Sequence, residues 1–176
     1  RPLTFSRELW IEREDFMEEK VGKFFRLYPG NEVRLKGAYV VKCTGCVKDE
    51  AGRVIEILCT YDPDSRGGDP ADGRKVKSTI HWVDAATAVD AGVRLYDNLF
   101  LDADPDGADK NFLDCINPAS LKVLKNCKVE AGLADAAAPA HFQFMRQGYF
   151  CLDNQDSCPG HLVFNRSVSL KDSFKK

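Results

Sequence analysis

Hydrophobic and polar positions along this chain of 176 residues alternate mainly with a period of two, which is the pattern of strands with one buried face. The segment 32–42, for example, places Val33 and Leu35 between charged residues. The same reasoning predicts strands at residues 9–11, 32–42, 53–61, 75–83, 93–99, 121–129, 141–152 and 162–170.

Turns and short helical signals fill the spaces between these strands. Residues 49–52 and 62–73 are rich in Gly, Pro and Asp, which favour turns. Helical turns are expected only at 13–19, 84–89 and 109–116, and the last of these ends before Pro118. Many short strands joined by glycine turns predict an all-β fold, either a sandwich or a barrel.

Two small β domains are expected within this length. Residues 102–109 form an acidic, loop-like stretch, and the composition changes near Asp84. We therefore predict one domain at residues 1–83 and a second at residues 84–176.

Basic residues are concentrated at residues 20–42, where six of them accompany one acid although the whole chain has a net charge of -2. Aromatic and aliphatic residues alternate with these cations, so the segment could pair with phosphates and stack unpaired bases. This favours RNA as a partner. A solvated amphipathic strand would give the same pattern, and the segment alone does not distinguish the two interpretations.

No catalytic or metal-binding signature accompanies this basic segment. The seven cysteines are an odd number and are expected to be reduced core thiols. Cys43 and Cys46 have ligand spacing, but no second pair follows, and on a regular strand the two thiols would point to opposite faces, so we predict no metal site. A phosphate-binding loop and a nucleophile elbow are absent from the sequence, so no catalytic residue is assigned.

Membrane and export signals are also absent from the sequence. No apolar run approaches the roughly 20 residues that span a bilayer, and Arg1-Pro2 does not open a signal peptide. A cytoplasmic location without a membrane partner is therefore expected.

Eight motifs in one order give the chain a close resemblance to the C-terminal anticodon-binding region of bacterial glutaminyl-tRNA synthetases. The resemblance covers essentially the whole chain, and the motifs read LWIEREDF at 9–16, GNEVRLK at 30–36, CTYDP at 59–63, ADGRKVK at 71–77, IHWV at 80–83, VRLYD at 93–97, GYFCLD at 148–153 and FNR at 164–166. Archaeal and eukaryotic glutamyl-tRNA synthetases resemble this family in the same region.

The resemblance implies two small six-stranded β-barrels of the ribosomal protein L25 type that hold the anticodon loop of glutamine tRNA. It also implies a fragment of a class I, ATP-dependent ligase whose catalytic core lies elsewhere, so that ATP and Mg²⁺ would serve the full-length enzyme and this chain would need no cofactor. The first strands of the region would lie upstream, which would leave one barrel incomplete or exchanging strands with the other. A monomer that binds no DNA is expected.

The family's anticodon contacts can be carried over where its motifs match. Arg26 resembles the reader of the third anticodon base, Arg34 resembles a contact to the first, and Gln143 and Arg146 resemble two members of a pocket for the middle uridine. Lys23 and Lys36 are expected to contact the tRNA backbone. At Lys23, Phe25 and Lys36 the chain departs from the best-known bacterial sequences, which have glutamine, lysine and arginine there.

Gln143 and Arg146 are three residues apart, so a regular strand would point them to opposite faces. We therefore predict an irregular backbone at residues 144–148.

An alternative to the ligase is a free-standing RNA-binding β-barrel related to ribosomal protein L25, without an attached enzyme.

Overall fold

The computed structural model describes residues 2–107 and 109–170, and these form an all-β protein. The chain divides into two compact units, Arg1–Ala86 and Thr87–Lys176. The boundary that the sequence predicts, between residues 83 and 84, falls inside the last strand of the first unit.

The first unit contains two sheets in the described residues. Strands β4, β3, β2 and β5 form a four-stranded sheet in that order, and β1 pairs with β6 in a two-stranded sheet. The strands are β1 (Leu9–Ile11), β2 (Glu32–Leu35), β3 (Val40–Lys48), β4 (Val54–Asp62), β5 (Thr79–Ile80) and β6 (Trp82–Asp84).

The second unit is one mixed sheet of five strands in the order β8, β7, β11, β10, β9. The central pair, β7 and β11, is parallel and the other pairs are antiparallel. The strands are β7 (Val89–Tyr96), β8 (Leu121–Val129), β9 (His141–Phe144), β10 (Gly148–Leu152) and β11 (Leu162–Ser169).

Each unit has its own core, built by the period-two pattern. In β2, Glu32 and Arg34 are partly exposed, whereas Val33 and Leu35 are buried. Val33 and Leu35 belong to the same core cluster as Trp82 of β6. In the second unit the core forms around Phe164, which is fully buried.

The expected pair of six-stranded barrels is not confirmed, because the sheets are open in the described part of the chain. The edge strands β4 and β5 do not pair with each other. Instead the chain leaves the four-stranded sheet at β5 and enters the two-stranded sheet at β6, with only His81 between the two strands. In the second unit, β8 and β9 are likewise the unpaired edges of one sheet.

Two of the predicted strands are divided by turns. The segment 32–42 turns at Lys36–Ala38, where Gly37 has a φ of +74°, and the segment 141–152 turns at residues 145–147. The predicted helical turn at 84–89 is not helical: residues 85–87 form a turn between Asp84, which ends β6, and Val89, which begins β7. The expected scarcity of helix is confirmed: helical structure in the described residues consists of short 3₁₀ helices at Arg13–Asp15, Pro63–Ser65, Phe112–Cys115 and Ala131–Leu133.

The prediction that Cys43 and Cys46 face opposite sides of their strand is wrong. A shift of register between Cys43 and Gly45 inserts one residue into β3, so both side chains pack into the core of the first unit. Burial raises the pKa of the Cys43 thiol. Within residues 2–107 and 109–170, no group of three or more His, Cys, Asp or Glu side chains is placed to hold a metal ion.

A carboxylate closes the turn between β10 and β11. Asp153 accepts hydrogen bonds from the backbone N–H groups of Gln155 (2.9 Å) and Asp156 (2.8 Å), and from the side chains of Asn165 (2.7 Å) and Arg94 (3.1 Å). These donors lower the pKa of Asp153 to about 2, with the backbone N–H of Asp156 as the largest cause.

Candidate nucleic-acid interface

A groove of about 460 Å³ in the first unit gathers basic and aromatic side chains; we call it the basic groove. Residues 20–32, which lead into β2, supply one wall, residues 74–77, which precede β5, supply another, and Lys42 of β3 also lines it. Its charged lining residues are Lys20, Glu32, Lys42, Arg74, Lys75 and Lys77, and its aromatic residues are Phe25 and Tyr28.

Arg74 holds the wall of the basic groove in place and neutralises Glu32, the acidic residue in its lining. The guanidinium donates to Glu32 (2.9 Å), to Asp62 of β4 (2.7 Å) and to Asp72 (2.6 Å). These carboxylates raise the pKa of Arg74, led by Glu32. The network ties residues 72–74 to β2 and β4.

The four lysines therefore set the charge of the basic groove. Within the part of the chain that the structure describes, no carboxylate forms a salt bridge with Lys20, Lys42, Lys75 or Lys77. Two of them contact an aromatic ring instead: the Nζ of Lys77 lies 5.5 Å and that of Lys20 lies 6.0 Å from the centre of the Phe25 ring. A concave, positively charged surface with an exposed aromatic ring suits an anionic, aromatic ligand.

Arg34 lies on β2, where the alternation of the strand points its side chain away from the core. Its Nε donates to the carbonyl of Gly68 (3.2 Å), and its guanidinium pairs with Asp69. The side chain of Asp69 is 81% exposed, so this pair is weak and can exchange for a ligand.

Arg26 is tied more firmly to the protein. Its Nη1 lies 3.1 Å from the carboxylate of Asp15, which is fully buried, and it also donates to the carbonyl of Glu14 (3.0 Å). A buried carboxylate needs a compensating charge, so Arg26 has a structural task in addition to any contact with a ligand.

Lys23 and Lys36 are exposed in turns on either side of the β2 segment. The backbone of Lys36 is fixed, because its N–H donates to Ile80 (3.0 Å) and its carbonyl accepts from the indole of Trp82 (3.0 Å). Of the six residues assigned from the sequence, none lines the basic groove, although Arg26 and Lys23 belong to the segment that forms its wall.

Gln143 and Arg146 lie at the same end of the second unit's sheet, in the β9–β10 hairpin. Gln143 is exposed on β9, directly opposite Tyr149 of β10. Arg146 is exposed in the connecting turn, which is closed by a hydrogen bond from Gln147 N–H to the Phe144 carbonyl (2.9 Å).

The irregular backbone predicted at residues 144–148 is present. Arg146 has a φ of +68°, in the left-handed region that disfavours residues with a Cβ, and Gly148 has a φ of +143°. The turn places Arg146 beyond the end of the strand, so the opposite-face problem of a regular strand does not arise. A non-glycine residue in this conformation is often found at a binding site.

Sequence reasoning missed two sets of residues at these surfaces. Lys75 and Lys77 reach the basic groove from a segment that the sequence suggests only as a turn and strand. Tyr149 is exposed beside Gln143, and the alternation of β10, in which Phe150 and Leu152 are buried, was the available signal.

A concave surface that combines basic and aromatic side chains is typical of proteins that bind nucleic acid. Two family models agree with this class: both are described as the anti-codon binding domain of class I tRNA synthetases (E and Q), and they match residues 1–62 and 79–153. The chain belongs to this family.

Individual relatives give the same result over the whole chain. The glutamine–tRNA ligase of Bradyrhizobium diazoefficiens is 53% identical over 176 residues, which is 100% of this chain and 31% of the relative. The enzyme of the same name from Nitrobacter winogradskyi is 54% identical, with the same coverage of 100% and 31%. That of Clostridium kluyveri is 53% identical over 99% of this chain and 32% of its own length. The chain thus spans about a third of the length of these relatives and corresponds to their anticodon-binding region.

Proposed function

We propose that this chain is the part of a glutamine–tRNA ligase that binds the anticodon loop of glutamine tRNA. The observation that carries the proposal is the 53% identity to a glutamine–tRNA ligase along the entire chain. The longer protein would attach glutamine with ATP and Mg²⁺ bound in a catalytic core outside these 176 residues.

Base readout in this proposal falls to Arg26, Arg34, Gln143 and Arg146. The guanidinium fork of arginine can donate two hydrogen bonds to the edge of an unstacked base, and the amide of glutamine can match the mixed donor and acceptor edge of uracil. The exposure of Gln143 and Arg146 at one hairpin supports a shared contact with the middle base. Lys23 and Lys36 are exposed and would contact phosphates.

The location and assembly state belong to the same proposal. No helix in the described residues is long and apolar enough to cross a bilayer. We propose a cytoplasmic monomer that does not use DNA as a ligand, since its task is recognition of a tRNA loop.

Binding of the purified chain to glutamine tRNA and to glutamate tRNA, at two salt concentrations, tests the proposal. We expect tighter binding to glutamine tRNA, with the preference retained at high salt because base contacts depend less on salt than phosphate contacts do. Equal affinity for both tRNAs at both salt concentrations would refute it. The chain alone should not attach glutamine to tRNA, and tRNA-dependent aminoacylation by it would contradict the assignment of chemistry elsewhere.

Middle-base readout is tested separately in the full-length enzyme. Gln143→Ala and Arg146→Ala should each reduce discrimination at the middle anticodon base by about 1–3 kcal/mol. The matched control is Gln147→Ala, which removes an exposed amide from the same turn. If Gln143→Ala or Arg146→Ala weakened tRNAs with every middle base equally, these residues would not read that base.

A further inference from the structure

Phe25 is an exposed aromatic ring on the wall of the basic groove. The residue is 46% exposed, and it is not part of the buried core cluster of the first unit. Leaving a phenyl ring in water forgoes the stabilisation that its burial would bring, so the fold gains little from this residue. The ring is instead presented to the groove together with four lysines.

Two of those lysines converge on the ring from different parts of the chain. Lys20 precedes Phe25 by five residues, whereas Lys77 comes from the segment before β5, and their Nζ atoms lie 6.0 and 5.5 Å from the ring centre. Both distances are near the outer limit of a cation–π contact, so each contact is weak and readily exchanged. Two like charges held near one ring also repel each other, and an anion bound between them would remove that repulsion.

We infer that the basic groove is a subsite for one unpaired nucleotide of the bound RNA loop. The base stacks on Phe25, and the phosphates on either side of it pair with Lys20 and Lys77. The inference rests on the proposed function but adds a contact apart from base readout, because the side chains of Arg26 and Arg34 do not line the groove.

The chemistry of the subsite predicts affinity without sequence discrimination. Every base has a π face, so stacking on a phenyl ring tolerates any base, and lysine recognises a phosphate as a point charge. The subsite therefore strengthens binding of every unpaired RNA to a similar extent. Duplex RNA should not use it, since paired bases are not free to stack on a side chain.

Binding of two RNAs to the 176-residue chain tests the inference: the anticodon stem-loop of glutamine tRNA and an unstructured oligouridylate. Phe25→Ala should weaken binding of both by roughly 5- to 150-fold, whereas Phe25→Trp should retain binding. Lys20→Gln and Lys77→Gln should each reduce the slope of log K against log salt by roughly 0.7. The matched control is Phe112→Ala, which removes a ring of similar exposure, 50%, from the second unit.

An abasic scan of the stem-loop locates the stacked nucleotide. When its base is missing, Phe25→Ala should have no further effect, whereas at other loop positions the two changes should multiply. If Phe25→Ala weakened binding no more than Phe112→Ala, or by the same factor with every abasic loop, the inference would be overturned.

Adding the anticodon stem-loop of glutamate tRNA as a third RNA separates this inference from the proposed function. If Phe25→Ala weakens binding but the unmodified chain does not prefer the glutamine stem-loop over the glutamate stem-loop, the subsite is supported and the assigned tRNA is refuted. A chain with that preference but no effect at Phe25 refutes only the subsite.

Discussion

The left-handed backbone of Arg146 leads to a prediction in which two variants differ in stability but not in RNA binding. At a φ of +68°, a Cβ atom costs about 1–2 kcal/mol, and glycine avoids this cost. We expect the Arg146→Gly variant to have a larger free energy of unfolding than Arg146→Ala. Both variants lack the guanidinium, so any contact of the arginine side chain is lost equally in the two.

The expected difference is smaller than the full cost of the Cβ atom. Glycine loses more conformational entropy on folding than alanine, by roughly 0.5–1 kcal/mol. Subtracting the midpoints of the two ranges leaves Arg146→Gly about 0.8 kcal/mol more stable than Arg146→Ala. At Gln147, whose φ is not positive, the order should be reversed and the alanine variant should be the more stable one.

Urea unfolding followed by far-UV circular dichroism measures these differences in the free energy of unfolding. RNA binding is measured with the anticodon stem-loop of glutamine tRNA as the ligand. Arg146→Gly and Arg146→Ala should bind equally weakly although one is more stable. An alanine variant as stable as the glycine variant would show that residue 146 is not left-handed in solution. A glycine variant that bound like the unmodified chain would exclude the guanidinium from recognition.

Three further predictions concern single groups. Asp153→Asn should lower the free energy of unfolding by about 1–2 kcal/mol at pH 7, a figure that allows for solvent screening. The pKa of Asp153 is lowered to about 2 in the folded state, so the stability difference between Asp153→Asn and the unmodified chain should disappear as the pH falls from about 5 to 2. Gly148→Ala should lower the free energy of unfolding by about 2–4 kcal/mol, because the added Cβ would lie 2.5 Å from a backbone carbonyl oxygen of β11. Gly132→Ala should change it little, because a Cβ at Gly132 would meet open space. Asp69→Asn should release Arg34 and tighten RNA binding by up to about 5-fold, since an exposed ion pair is worth at most about 1 kcal/mol.

Controls make these results specific. Asp64→Asn removes an exposed acid without releasing Arg34, so it measures the general effect of charge on RNA affinity. An equal gain in affinity in Asp64→Asn and Asp69→Asn would remove the special role of the Arg34 pair. Thermal unfolding of Asp153→Asn that retained the full pH dependence of the unmodified chain would show that another group is responsible.

The alternation of the sequence determined the strands, because the period of two is a local property of each segment. β1 and β8 have the predicted bounds, β4 is shifted by one residue at both ends, and β11 ends one residue earlier than predicted. The scarcity of helix followed from the same pattern. Local alternation could not show where a strand is divided, since the turns at Gly37 and Arg146 depend on backbone conformations that interrupt an otherwise continuous pattern.

The basic character of residues 20–42 was also visible in the sequence, but the groove was decided by tertiary structure. Its other wall comes from residues 74–77, brought beside β2 by the parallel pairing with β5 and by the contacts of Arg74 with carboxylates distant in sequence. Sheet closure likewise depends on which edges meet, which strand patterns do not specify. The physical reason is the same for the groove and for sheet closure. Pairing of segments far apart in the chain is set by the total energy of the folded unit, whereas alternation is a local property of neighbouring residues.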